Sequence, residues 1–306
     1  MESADCTIIE ERCSSALHKL KRKIPYGWDL NIYKGCAHGC VYCFALYSHP
    51  ELIQSKAAQP SDASVFSTHI HVKTNIVEEL ERELSSPSWN REVVNIGGVT
   101  DSYQPVETCY EFMPAILRLL IKYKTPAIIS SKSTLPLRDF DLIDRLSRIT
   151  YVNIAATVTV MDEKVRAVIE PGAAPSKDRM AMLKEFRKTN ASVGLHSMPI
   201  IPGLTDSPEN LEALFSAARD ADVHYLLPGC LYLRGKTRPA FFAAMERNFP
   251  DLCPHLKALY SSGGANDGYK DGLYRTINEL RSRYGVSSSW SGPMKEKMKP
   301  AQLELF

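Results

Sequence analysis

Residues 29–44, Asp29-Leu30-Asn31-Ile32-Tyr33-Lys34-Gly35-Cys36-Ala37-His38-Gly39-Cys40-Val41-Tyr42-Cys43-Phe44, run a short apolar strand directly into a loop bearing three cysteines. Asp29 to Tyr33 has the length and apolar content of a buried strand. Open α/β sheets bind their ligands just beyond the carboxyl ends of such strands, which is where these thiols fall.

Outward from this stretch the chain repeats a strand-then-helix rhythm. The further strands expected are Val93 to Gly97, Ala127 to Ser131, Val152 to Val158, Ser192 to Met198 and Tyr225 to Leu231. Helical patterns separate them at Ile76 to Leu84, Tyr110 to Tyr123, Leu137 to Leu146, Lys177 to Lys188 and Pro208 to Ala218. Ser207 followed by Pro208 is a good helix start, a side-chain cap before a proline at the first helical position. Six units in a row predict an α/β fold with right-handed crossovers, short of the eight strands of a closed barrel. The expectation is therefore a partial, TIM-like (β/α)6 barrel over residues 25–235, preceded by an N-terminal extension at 1–24. A helical segment over 236–285 follows (Pro239 to Phe249, Pro254 to Tyr260, Tyr269 to Tyr284), and then a polar, extended tail at 286–306. No internal repeat at a fixed period is present.

The chain has 306 residues, 44% apolar and 24% charged, and 37 basic against 35 acidic residues give a net charge of +2. These are ordinary values for a globular protein. No run of 18 apolar residues suggests a membrane span, and the N-terminus lacks the pattern of a secretory signal, so the expected compartment is the cytoplasm. Local basic clusters (His18, Lys19, Lys21, Arg22 and Lys23; then Lys295, Lys297 and Lys299) are either solvated faces or nucleic-acid contacts.

Eight cysteines are unevenly placed, three within eight residues and Cys6, Cys13, Cys109, Cys230 and Cys253 scattered. The last three read as small core residues. The trio is spaced C-x3-C-x2-C. Three thiolates on one short loop can each hold a different iron of a cubane, leaving the fourth iron without a protein ligand. Two other readings stay open: a structural zinc completed by His38, His49, Cys6 or Cys13, or inert buried thiols.

With its flanking aromatics, Tyr42 and Phe44, this trio resembles the cluster loop of the radical S-adenosylmethionine (SAM) superfamily. Ile96 to Glu107, with Thr100-Asp101-Ser102-Tyr103-Gln104-Pro105-Val106-Glu107, resembles the TD-x-YQP-x-E segment of the spore photoproduct lyase-like branch. Ser130 to Ser133, Glu170-Pro171 and Pro199 to Asp206 fit the same branch. The resemblance implies a [4Fe–4S] cluster on Cys36, Cys40 and Cys43, with SAM chelating the open iron. It further implies reductive cleavage to a 5′-deoxyadenosyl radical and an external electron donor of flavodoxin or ferredoxin type.

Gly97, Gly98, Thr100, Asp101, Lys132 and Thr157 are then the candidate SAM contacts. Glycines admit backbone carbonyls close to the ligand ammonium, Thr100 and Asp101 suit that ammonium or the ribose, and Lys132 suits the carboxylate. Thr157 and Thr159 reach the carboxylate or ribose, and Ile201 to Leu204 pack on the adenine. Glu170 with Arg166 or Arg179 is expected as a structural ion pair at the mouth, and His196 as either a core histidine or a substrate contact. Spore photoproduct lyase uses a cysteine near the Thr-Asp pair as hydrogen donor; here Gly98 stands at that position and Cys109 is the nearest thiol in sequence.

The final residues, Gln302-Leu303-Glu304-Leu305-Phe306, resemble the peptide by which bacterial repair and replication proteins dock on the sliding clamp. DNA or RNA is accordingly an expected partner. The rival reading is a non-catalytic Zn or Fe–S nucleic-acid-binding protein that docks through this tail.

Overall fold

A computed structural model describes residues 6–20, 26–48 and 64–298. The clamp-like peptide, His49, Lys21 to Lys23 and Lys299 lie outside the described residues. Ten strands are described: β1 Thr7–Glu11, β2 Leu17–Lys19, β3 Trp28–Leu30, β4 Tyr33–Lys34, β5 His69–Lys73, β6 Val94–Ile96, β7 Ala127–Ser131, β8 Val152–Thr157, β9 Ser192–Ile200 and β10 Tyr225–Cys230.

The main sheet runs β10-β9-β8-β7-β6-β3-β2. Its six strands β3 and β6 to β10 are parallel, and β2 adds to the β3 edge antiparallel. This is the open six-unit α/β arrangement expected from the rhythm of the chain. The apolar runs of these strands are buried because helices cover the outer face: Ile154 and Ala155 on β8, Ile129 on β7 and Val193 on β9 are all fully buried. Among the helices, Ser207 caps Pro208–Asp220 as its sequence predicts, its hydroxyl accepting the amide of Asn210 at 3.1 Å.

Three departures from the sequence reading matter for the site. First, the strand expected over Asp29 to Tyr33 is two strands in different sheets. The chain leaves the main sheet at Asn31, whose side-chain oxygen accepts the amide of Val99 (3.0 Å) and whose carbonyl accepts the ammonium of Lys73 (2.6 Å). β4 then pairs antiparallel with β5, which is also parallel to β1, in a small second sheet. Second, the N-terminal segment belongs to both sheets through β1 and β2. Their short, half-exposed patterns give no clear periodicity in sequence, since edge strands bury little.

Third, residues 287–298 pack on the main sheet. The Ser287 carbonyl accepts the Leu226 amide at 2.9 Å, covering the open edge of β10. Trp290 meets Tyr26 edge-on at 6.3 Å, and the helix Gly292–Lys297 buries Met294 beside Val93, Ile128 and Tyr151. Polar composition hid two apolar anchors placed where the sheet needs cover.

The helices Thr237–Asn248 and Cys253–Leu259 form a second core with Tyr42, Val160, Ile169 and Ile201, so they pack on the cysteine loop itself. The hydroxyl of Thr237 donates to the carbonyl of Cys43 at 2.7 Å. Among the described residues no helix is long and apolar enough to cross a membrane.

Because β8 lies inside the main sheet between β7 and β9 and Ile154 is wholly enclosed, Ile154→Ala should leave a cavity and cost about 2–5 kcal/mol. A lowered denaturant midpoint at unchanged m-value is the measurement that checks it.

Candidate active site

Gly35 begins the cysteine loop with φ +82°, and a Cβ there would lie 2.4 Å from the carbonyl of His69. Only glycine allows the chain to turn this closely over β5. The Cys36 amide then donates to Phe66 O at 2.8 Å, and Val41 N donates to Ile169 O at 3.0 Å. The loop is thus sewn to the short helix Val65–Thr68 on one side and to the helix Glu163–Ile169 on the other.

The segment following β6 braces the loop from behind. The side-chain oxygen of Gln104 accepts Ala37 N (2.9 Å) and its amide donates to Gly35 O (3.1 Å). The Thr100 hydroxyl donates to Tyr33 O at 2.9 Å. The hydroxyl of Tyr103 donates to Asp139, and that of Tyr33 donates to Glu107 at 2.6 Å. Glu107, fully buried, also accepts the amides of Phe112 and Met113 and pairs with Arg138 at 2.8 Å. Every polar side chain of the Thr-Asp-x-Tyr-Gln-Pro-x-Glu signature is therefore used inside the protein.

Asp101 is the centre of this bracing. Its carboxylate accepts the amides of Tyr103 (2.9 Å) and Lys132 (2.7 Å), the hydroxyl of Ser131 (3.0 Å) and Nε2 of His38 (2.9 Å). Four donors occupy the acceptor sites of a carboxylate. Burial by itself would raise the Asp101 pKa, but His38 and the two backbone amides hold it below the usual carboxylate range. The other ring nitrogen of His38 donates to Gly172 O at 2.9 Å, and the amide of Gly172 donates back to His38 O at 3.0 Å.

In front of this bracing a cleft of about 620 Å3 opens at the carboxyl ends of the parallel strands. Cys36, Cys40 and Cys43 line it, together with Gly97, Gly98, Asp101, Lys132, Thr157 and His196. Thr100 and Thr159 do not: the hydroxyl of Thr159 lies 3.5 Å from Glu170. Ile201 is fully buried in the second core instead of lining the cleft. Burial pushes all three thiols up to about 12, so loading metal onto them must release protons.

Lys132 stands among acidic neighbours. Burial would lower its pKa, yet Cys40, Glu170 and Asp101 raise it, so it stays a cation. Its ammonium lies 5.9 Å from the Tyr42 ring centre, and among the described residues no carboxylate pairs with it. Beneath it, Glu170 and Arg179 form a fully buried ion pair at 2.8 Å, and the Tyr42 hydroxyl donates to Glu170. Arg179 also donates to Thr157 O, fixing the cleft wall at the end of β8. Despite its burial, Arg179 and Lys132 hold Glu170 below the usual carboxylate range. Arg166 instead binds Glu163 and the carbonyls of Glu170 and Ala173.

Two cysteines read as core residues sit elsewhere. Cys109 is exposed, on the helical turn Glu107–Tyr110, and Cys230 lines the cleft; Cys253 is buried. Sequence reasoning also missed Gln104, His38 and Ser131 as braces. Gln104 was visible within the signature, but nothing local shows what it reaches. Gly98 has a cause other than ligand approach: its Cβ would fall 2.4 Å from the Asn95 amide nitrogen, which donates to Asp29 at 2.8 Å.

A family model for the radical SAM superfamily matches residues 30–215. The chain belongs to that superfamily. A protein of Mycobacterium tuberculosis is 32% identical over 284 residues, covering 92% of this chain and 82% of its own length. One from Methanocaldococcus jannaschii is 24% identical over 258 residues, 84% and 88% of the two chains. Among solved structures, a mutant of spore photoproduct lyase with bound AdoMet and dinucleoside spore photoproduct matches with TM-score 0.64. The identity is 12%, covering 91% of this chain and 79% of that one. SuiB of Streptococcus suis bound to S-adenosylmethionine matches with TM-score 0.51 at 11% identity, covering 87% and 51%. These likenesses are of fold.

Radical SAM enzymes work with an iron–sulfur cluster and SAM, and the residues here fit both. Three thiols from one loop face the cleft, and the uncommitted ammonium of Lys132 faces it with them. His38 spends both ring nitrogens on the protein, while Cys6 and Cys13 pack against the main core and are not among the cleft-lining residues, so none of these is placed to complete a zinc tetrahedron.

Two expectations follow. Asp101→Ala should lower iron retention per chain several-fold without removing a ligand, because four donors lose their acceptor and the loop loosens. Iron analysis after gel filtration checks this. Glu170 and Asp101 ionise more readily folded than unfolded, so their stabilisation is complete above the unfolded pKa of about 4 and is lost progressively as pH falls from there through the lower folded-state pKa. Denaturant midpoints measured from pH 6 downward should fall with acidity, and Glu170→Gln should flatten that slope.

Proposed function

We propose that this chain is a SAM-cleaving radical enzyme holding a [4Fe–4S] cluster on Cys36, Cys40 and Cys43 and acting on a nucleic-acid substrate, DNA or RNA. The observation that carries the cluster assignment is the loop itself: three thiols line the cleft while the nearest histidine is turned away into two protein hydrogen bonds. Such a donor set leaves one iron of a cubane for an exogenous ligand. When bound, the cluster and SAM supply reductive cleavage of a sulfonium C–S bond, giving a 5′-deoxyadenosyl radical that abstracts hydrogen.

The protein's part is positioning and the exclusion of water. Lys132 is held as a cation beside the loop, suited to a methionine carboxylate. Gly97, Gly98 and Thr157 form the wall against which the rest of SAM would lie. Asp101 and Thr100 act at one remove, by fixing the backbone of that wall and the loop opposite it. An electron donor of flavodoxin or ferredoxin type is the expected source of reducing equivalents, in the cytoplasm.

The substrate reading rests on the cleft-lining residues outside the cysteine loop. Tyr26, Ile128, Leu227 and Trp290 offer apolar and aromatic faces, and Asn95, His196 and Tyr225 add polar groups, part of whose hydrogen-bonding capacity is taken by Asp29, by Asn153 and by the His196–Tyr225 contact. Burial, with a contribution from Lys132, lowers His196 to about 4, so it is neutral at pH 7. Aromatic faces beside neutral polar groups suit a nucleobase. The reaction is read as something other than dimer splitting with a thiol beside the Thr-Asp pair. Gly98 occupies that position, and Asn95 would have to give way to any side chain there.

Anaerobically reconstituted protein should be brown, carry about four irons per chain and release 5′-deoxyadenosine when reduced with SAM; Cys40→Ala should do none of these. Lys132→Ala should keep its iron and raise the KM for SAM about 10- to 100-fold, the worth of one charge-assisted hydrogen bond. A colourless, zinc-loaded wild type would end the proposal.

A further inference from the structure

A second groove, open and about 690 Å3, runs beside the cleft between the chain after β10 and the loop that precedes the helix Asp267–Tyr284. Tyr232 lines both the cleft and the groove, and is 39% exposed. Behind it the groove carries three cations, Arg234, Arg238 and Lys270, against one carboxylate, Asp267. Among the described residues only Lys270 of the three has a carboxylate partner, Asp267 at 3.1 Å on an exposed turn. Arg234 lies 4.6 Å over the ring of Tyr232. Arg238 spends two nitrogens on the carbonyls of Ser262 and Tyr260, which fixes its charge at the groove wall.

A further aromatic pair lines the cleft close to this segment: Phe44 is 42% exposed and meets the half-buried Tyr47 edge-on, and Tyr47 lies against Gly235. Aromatic faces at the mouth with cations just outside are the pairing by which proteins hold single-stranded nucleic acid, bases stacked and phosphates neutralised. An acidic peptide would use the cations and leave the aromatic faces idle.

We infer that the groove is a flanking-nucleotide subsite: it holds the phosphates next to the base in the cleft, and Tyr232 stacks on the neighbouring base. The enzyme therefore acts on a strand and not on a free nucleoside. This rests on the nucleic-acid reading above and goes beyond it in naming a single-stranded polymer and the residues that grip it. The cleft alone would accept a lone nucleobase; the groove has no role for one.

The test is fluorescence anisotropy of a labelled single-stranded oligonucleotide of about ten nucleotides, a length within the usual single-strand site sizes, with iron-loaded protein under anaerobic conditions. Arg234→Glu with Lys270→Glu should weaken binding at least tenfold at low salt and reduce the slope of log K against log salt by about 1.4, two phosphate contacts at about 0.7 each. Tyr232→Ala should weaken binding several-fold and Tyr232→Trp should restore it. Iron content and melting temperature verify the fold, and should the double reversal not fold, Arg234→Gln with Lys270→Gln must shift affinity in the same direction.

Unchanged affinity in the charge variants overturns the inference. So does competition by polyglutamate, or by a mononucleotide, on equal terms with the unlabelled strand. Wild-type protein that forms 5′-deoxyadenosine but binds no oligonucleotide overturns it while leaving the radical chemistry standing. Strand binding that survives where no 5′-deoxyadenosine forms supports the subsite and counts against the chemistry.

Discussion

The carboxylate of Asp101 holds the site together. It is buried and ionised, an arrangement that costs several kcal/mol unless every lone pair is satisfied, and here four donors satisfy them. Those donors come from three places: the cysteine loop through His38, the end of β7 through Ser131 and Lys132, and the turn after β6 through Tyr103. One side chain thereby sets the distance between a ligand-bearing loop and two strand ends. His38 passes the constraint on to Gly172, so the segment after the helix Glu163–Ile169 is tied in as well.

A second constraint is electrostatic. Glu170 and Arg179 are both fully buried, and such a pair contributes little net stability over an apolar replacement. Its effect is positional. Arg179 reaches the carbonyl of Thr157, and Glu170 reaches the hydroxyl of Tyr42 in the cysteine loop, so the pair spans the cleft floor from β8 to the loop. Glu170, together with Cys40 and Asp101, raises the pKa of Lys132 against both burial and the Arg179 charge, so that ammonium stays protonated in a site where burial alone would discharge it. A cation held beside three thiols suits ligands that bring anionic groups.

Much of this was legible in the chain. The six parallel strands were, because a strand buried on both faces must be continuously apolar, and their order follows from short right-handed crossovers. The helix start at Ser207 was legible from its cap, and the helix from Ile76 from its periodicity. Less legible were β1 and β2, which bury little and carry polar residues on exposed faces, β5, whose buried Ile70 and Val72 are interleaved with histidines, and Trp290 and Met294, isolated anchors in a polar segment. Cys109 and Cys230 looked alike as lone cysteines, and only their positions separate an exposed thiol from one on the cleft wall.

What the sequence determined by itself is the chemistry available: three closely spaced thiols, a lysine at a strand end, and an α/β frame that delivers both to one rim. Those follow from local spacing and periodicity, which no distant contact alters. Which polar groups face a ligand and which face the protein was decided by tertiary structure alone. Thr100 and Asp101 carry the donors and acceptors a SAM site could use, yet the chain spends them on Tyr33, His38, Ser131 and Lys132, partners up to 67 residues away. Hydrogen bonds over such separations depend on how the sheets pack, and packing leaves no mark in the local pattern.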